Sequence, residues 1–159
     1  MPIEEAYKRV TSSQIFQEQG FLCNVFMMAD AKELETTPWQ FGFYNPKTKT
    51  MNSYKDTTPI QIESKDEKIF QEEDTPIEEL KLETIEISIE EALQIAKKKL
   101  KEKNEAADKI IIVLQQQKIP IWNISFLTST FNLLNLKLNA KKKQILNEKY
   151  TSLLSFKNE

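Results

Sequence analysis

Histidine is absent from this chain of 159 residues. Its absence excludes imidazole acid–base catalysis, serine or cysteine nucleophiles activated by histidine, and imidazole metal ligation. Glycine occurs only 2 times, which leaves no glycine-rich phosphate loop. Cys23 is the single cysteine, so no disulfide framework can form within the chain. It stands in the apolar run F-L-C-N-V-F with no cation or helix start beside it to lower its pKa, and reads as a small buried hydrophobe. A basic excess is also missing. Lys+Arg 22 stand against Asp+Glu 24, a net charge of −2, which argues against a nucleic-acid partner. No window approaches the ~18 consecutive apolar residues of a membrane span, and no membrane partner is expected. The start, M-P-I-E-E-A-Y-K-R-V, has neither a positive region nor an apolar core, so no signal peptide and a cytoplasmic location are expected.

What is present is enough apolar residue for a real core, at 40% of the chain, with 29% charged. Residues 2–18 carry Ile3, Ala6, Tyr7, Val10 and Ile15 at helical spacing, with Pro2, Glu4 and Glu5 suited to a helix start and Gly20 to its stop. Residues 21–29 are apolar and read as a strand. Residues 32–37 form a polar loop. Trp39, Phe41 and Phe43 alternate with polar and small residues in a half-buried strand over 39–44, and residues 50–54 return after the Asn45-Pro46 turn. Ile60 and Ile62 alternate, and Lys68-Ile69-Phe70 follow a polar turn, which predicts a small hairpin and then an acidic loop over 71–75.

In the second half, Ser88-Ile89-Glu90-Glu91 is a capping box opening a helix over 89–104. Its apolar stripe is Ile89, Ala92, Leu93, Ala96 and Leu100. I-I-I-V-L at 110–114 reads as a buried strand, because the run is short and β-branched. Strands over 122–127 and 131–138 follow, then a turn at 139–142 and a closing strand from Gln144. The tail 150–156 is apolar enough to pack as a strand or short helix.

Chemistry-bearing clusters have plainer explanations. The acidic run 63–74 lacks the ligand spacing of a calcium loop and reads as solvated. The lysines of 97–103 and 141–143 read as solvated faces. Glu4/Glu5 and Glu90/Glu91 occupy first helical turns, where they complement the dipole. Ser125, Thr128, Ser129 and Thr130 have no visible base. No catalytic residue, cofactor or metal site is expected. Trp39, Tyr44 and Trp122 are the candidate partner-binding residues, since aromatics anchor interfaces. For the two tryptophans, core positions covering a helix–sheet contact are the competing reading.

The order helix, apolar strand, Trp-led strand, strand occurs in both halves. Pro2-Ile3-Glu4-Glu5-Ala6 also echoes Ser88-Ile89-Glu90-Glu91-Ala92. The expected fold class is therefore α+β, as two α-β-β-β repeats. Each is an antiparallel sheet with one helix packed on a face, divided at 1–76 and 77–159. The second half, with Ser88-Ile89-Glu90-Glu91-Ala92-Leu93, its Trp-led strand, and Leu136-Lys137-Leu138-Asn139-Ala140-Lys141 before Ile145-Leu146, resembles the PepSY domain. Asn139 and Lys143 stand where the turn of that family has Asp and Gly. The resemblance implies a small helix-on-sheet unit, here in tandem, without catalytic residues. It points to protein or peptide binding, with peptidase inhibition of the propeptide type as the alternative. An uncovered apolar sheet face would favour the first. A protruding loop at 32–38 would favour the second. A deep apolar pocket would favour a small-ligand binder.

Overall fold

In the computed structural model, which describes residues 2–69 and 75–154, one antiparallel sheet of eight strands runs in the order β4-β3-β2-β1-β5-β6-β7-β8. The strands are β1 (Phe21–Asp30), β2 (Gln40–Asn45), β3 (Thr50–Lys55), β4 (Gln61–Lys68), β5 (Ala107–Gln117), β6 (Ile119–Thr128), β7 (Asn132–Asn139) and β8 (Gln144–Ser152). Two helices, α1 (Ile3–Thr11) and α2 (Ile89–Glu102), precede β1 and β5.

Strand alternation decides what the sheet covers. Val25, Met27 and Ala29 of β1 lie opposite Leu114, Ile112 and Ile110 of β5. These in turn face Trp122, Ile124 and Phe126 of β6, which face Leu138, Leu136 and Leu134 of β7. All are buried. Ala6 and Val10 of α1 and Ile89, Ala92, Leu93, Ala96 and Leu100 of α2 join the same continuous core. Both helices therefore sit on one face of the sheet. Burying each large apolar side chain contributes about 1.5–3 kcal/mol, so this one layer dominates stability. Aromatic packing fastens α1, where Tyr7 meets Phe41 edge-on at 5.9 Å between ring centres. The Arg9 guanidinium donates to both carboxylate oxygens of Asp56, at 3.0 and 2.7 Å, beyond the end of β3.

The expected two α-β-β-β repeats, each an antiparallel sheet with one helix packed on a face, are corrected by this topology, a single eight-stranded sheet. Four strands follow each helix, and β1 pairs with β5 along seven register positions, Asn24↔Gln115 to Asp30↔Lys109. The physical reason is edge removal. Separate sheets would leave β1 and β5 as apolar edges with unpaired amides, and joining them satisfies both. Both tryptophans belong to the single core under the helices. Trp122 lies within β6 opposite Leu114, whereas Trp39 lies before β2.

Other expectations shift for local reasons. The helix predicted over 2–18 ends at Thr11. The hydroxyls of Thr11, Ser12 and Ser13 donate back to the carbonyls of Tyr7, Lys8 and Val10, and Phe16 turns away to pack on Phe43 and Tyr54. In place of a hairpin near residue 60, one strand, β4, pairs irregularly with β3. Phe70 and residues 71–74, part of the predicted acidic loop, lie outside the described residues, as does 155–156 of the tail. The helix predicted to 104 stops at Glu102, and Asn104 takes the left-handed conformation (φ 55) that closes helices.

Candidate functional site

Trp39, Tyr44 and Trp122 are all buried, at 4%, 5% and 1% exposure. Trp122 Nε1 donates to the Ile87 carbonyl at 2.8 Å, which pins the segment entering α2 to β6. Trp39 Nε1 is buried without a hydrogen-bond partner among the described residues. Tyr44 stacks obliquely on Phe21 at 5.8 Å. The three do not form one surface. Cys23 is buried, and its burial pushes the thiol up to about 12.

The surface that sequence reasoning missed lies on the other side of the sheet. Phe26 and Met28 of β1 stand opposite Val113 and Ile111 of β5. None of the four belongs to the core cluster under the helices. Met28 is 50% exposed and the other three are half-buried. Amides border them: Gln40 lies opposite Phe26, and Asn123 opposite Val113. Ser125 lies opposite Ile111, and Asn135 opposite Ser125. Asn135 Nδ2 donates to Asn123 Oδ1 at 2.6 Å and to Ser125 Oγ at 2.8 Å. The result is an apolar centre with a polar margin, in which Asn135 is hydrogen-bonded to Asn123 and Ser125. The unbroken run I-I-I-V-L carried the signal, because an antiparallel strand with one wet face normally alternates.

On the helical side, the first turns of α1 and α2 converge on a cleft of about 480 Å³. Leu114 and Trp122 line it from the sheet, and Ile3, Ile85 and Ile89 from around it. Glu4, Glu5, Glu86 and Glu90 also line it, and among the described residues no lysine or arginine does. A wider recess of about 750 Å³ beside α1 is lined by both signs of charge, Lys8 and Lys81 with Glu79 and Glu83 among them. Tyr7 borders this recess, and burial, then Glu79, Glu83 and Glu18, push its hydroxyl pKa upward.

A third cluster surrounds Glu105. Its carboxylate accepts from Thr130 Oγ1 at 2.6 Å, Tyr150 OH at 2.7 Å and Asn132 Nδ2 at 2.8 Å. Those hydrogen bonds hold its pKa down to about 2. The acceptor is saturated, so the cluster is a staple joining the α2–β5 connection, the β6–β7 turn and β8. Among the described residues, no group of three or more Cys, Asp and Glu side chains is arranged to hold a metal ion. The 32–38 loop turns inward through Leu34, which is buried in the core, and Thr37 Oγ1 donates to the Glu33 carbonyl at 2.7 Å. No helix among the described residues is long and apolar enough to cross a membrane.

No protein-family model and no curated protein matches the chain. One solved structure, a candidate lipoprotein from Clostridium difficile 630, shares the fold with a TM-score of 0.63 at 17% identity, over 94% of this chain and 93% of that one.

Proposed function

We propose that the protein is a non-catalytic binding module that takes a protein partner on the uncovered face of its sheet. One observation carries this: Phe26, Met28, Ile111 and Val113 form an apolar patch at the sheet centre, outside the core. Apolar centres bordered by hydrogen-bonding side chains are the usual build of protein interfaces. The PepSY resemblance of the sequence agrees with a protein- or peptide-binding role. The inhibitor alternative loses its proposed wedge, since the 32–38 loop is anchored inward by Leu34.

The test is affinity capture from the native cells with the wild-type chain and with a Met28→Lys/Ile111→Lys variant. Circular dichroism and thermal unfolding establish that the variant is folded. A partner held by the wild type and lost by the folded variant is the expected result. Equal retention by both, or no specific partner for either, overturns the proposal.

A further inference from the structure

We infer that the occupant of the uncovered sheet face is an amphipathic helix of another protein, with acidic residues along one flank of its apolar side. This rests on the interface proposed above and names what fills it. The apolar patch does not end with Phe26, Met28, Ile111 and Val113. Leu127 of β6 follows Ser125 on the same face, opposite Lys109 and one register step from Ile111. Leu133 of β7 stands opposite Leu127. Neither leucine belongs to the core under the helices. The stripe therefore crosses the sheet diagonally, from β1 to the β6–β7 turn. At that turn Phe131 is 62% exposed and takes the left-handed conformation, φ 62. A bulky side chain is strained there, where glycine would not be. Burial does not offset the strain, so folding does not account for Phe131.

The same face specifies its occupant. β1, β5, β6 and β7 are interior strands, each paired on both sides. A partner must therefore pack by side chains rather than add a strand. Each step of the stripe is two strands wide, about 10 Å, which is the diameter of one helix rather than the breadth of a second sheet. The opposite face is already covered by helices, α1 and α2. Charge is uncompensated on one flank. Lys137 stands opposite Asn123 and Asn147, and Lys149, diagonal to it, stands opposite Asn135. Glu148 stands opposite Leu136, on the helical face. Among the described residues, no carboxylate lies within ion-pair distance of either lysine. On the other flank Asp30 stands opposite Lys109, so that side is balanced. Acids along one side of a partner helix would meet Lys137 and Lys149. A second copy of the chain would bring more lysine to the face, and the acyl chains of a membrane could not answer its amide margin.

The experiment measures binding of dye-labelled helical peptides of about 18 residues, long enough to span about 27 Å. They share one leucine face and carry glutamate, glutamine or lysine along its flanks. The glutamate peptide is expected to bind saturably and at least tenfold more tightly than the lysine peptide. Lys137→Glu/Lys149→Glu is expected to reverse that order. Phe131→Asn is expected to bind at least threefold more weakly while unfolding at the same temperature or higher. No saturable binding, equal affinity for the glutamate and lysine peptides, or unchanged affinities in either folded variant overturns the inference. So does a dimer of the chain in sedimentation that Phe131→Asn dissociates, or binding to phosphatidylglycerol vesicles without binding to the glutamate peptide. If the peptides fail while a cellular partner is held by the wild type and lost by Met28→Lys/Ile111→Lys, the interface stands and only the acidic helix falls.

Discussion

The indole N–H of Trp122 donates to the main-chain carbonyl of Ile87 at 2.8 Å, across 35 residues of sequence and wholly inside the core. Trp39 is as deeply placed, but its N–H has no partner among the described residues. Replacing each by phenylalanine removes similar volume. Only at Trp122 does it strand a carbonyl that was satisfied. Trp122→Phe is therefore expected to destabilise more than Trp39→Phe by about 1–2 kcal/mol, the penalty of an orphaned buried acceptor. Urea unfolding of both variants checks the difference, and equal midpoints would remove the hydrogen bond from the account.

The two glycines separate in the same way. Gly20 has φ +77, and a Cβ there would lie 1.8 Å from the Tyr44 carbonyl oxygen. Neither the conformation nor the backbone neighbour can yield cheaply, so Gly20→Ala is expected to destabilise by about 2 kcal/mol or more. At Gly42 the nearest atoms are side-chain ends, Asn24 Oδ1 at 2.7 Å and Met51 Sδ at 2.9 Å. Both can rotate, so Gly42→Ala is expected to be the milder change. Thermal unfolding of the pair decides the order.

Sequence patterns revealed what is local. Ser88 was readable as a cap, and its Oγ accepts from the Glu91 N–H at 3.1 Å as the capping box requires. The strand order was not readable, because β1 and β5 pair residues such as Asn24 and Gln115 with nothing between them to mark the register. The apolar spacing overstates the length of α1: Ile15 continues it, but the hydroxyls of residues 11–13 bond back to the helix and end it. The outer patch is hidden in the sequence because Ile111 and Val113 look like core in an unbroken run, and only the position of both helices shows them uncovered. The cleft joins residues 3–5 to 85–90 and to Leu114 and Trp122, a convergence that spacing cannot signal.

Cys23 should be chemically silent in the folded chain. Burial pushes its thiol up to about 12, so almost no thiolate exists near neutral pH. Reaction with a thiol reagent at mildly alkaline pH is expected to be at least tenfold slower in the native protein than in denaturant. A native rate equal to the denatured one would show that the strand carrying Cys23 opens readily.

Glu105 gives the chain a defined acid response. Hydrogen bonds from Thr130, Tyr150 and Asn132 hold its pKa at about 2, below the ordinary 4.5. A carboxylate depressed on folding contributes stability that is complete above its unfolded value and is lost as pH falls through its folded one. The staple is therefore intact above pH 4.5 and dissolves towards pH 2. In Glu105→Gln the side chain no longer titrates, so its stability is expected to fall less steeply across that window than the wild type's. Unfolding midpoints of the two chains, measured in parallel across the window, isolate this group, since every other carboxylate is common to both. A carbon-detected NMR titration of the wild type supplies the direct reading, with the Glu105 carboxylate still ionised where exposed glutamates have protonated. Parallel stability curves, or a Glu105 midpoint in the ordinary range, would show that the three donors do not hold the carboxylate in solution.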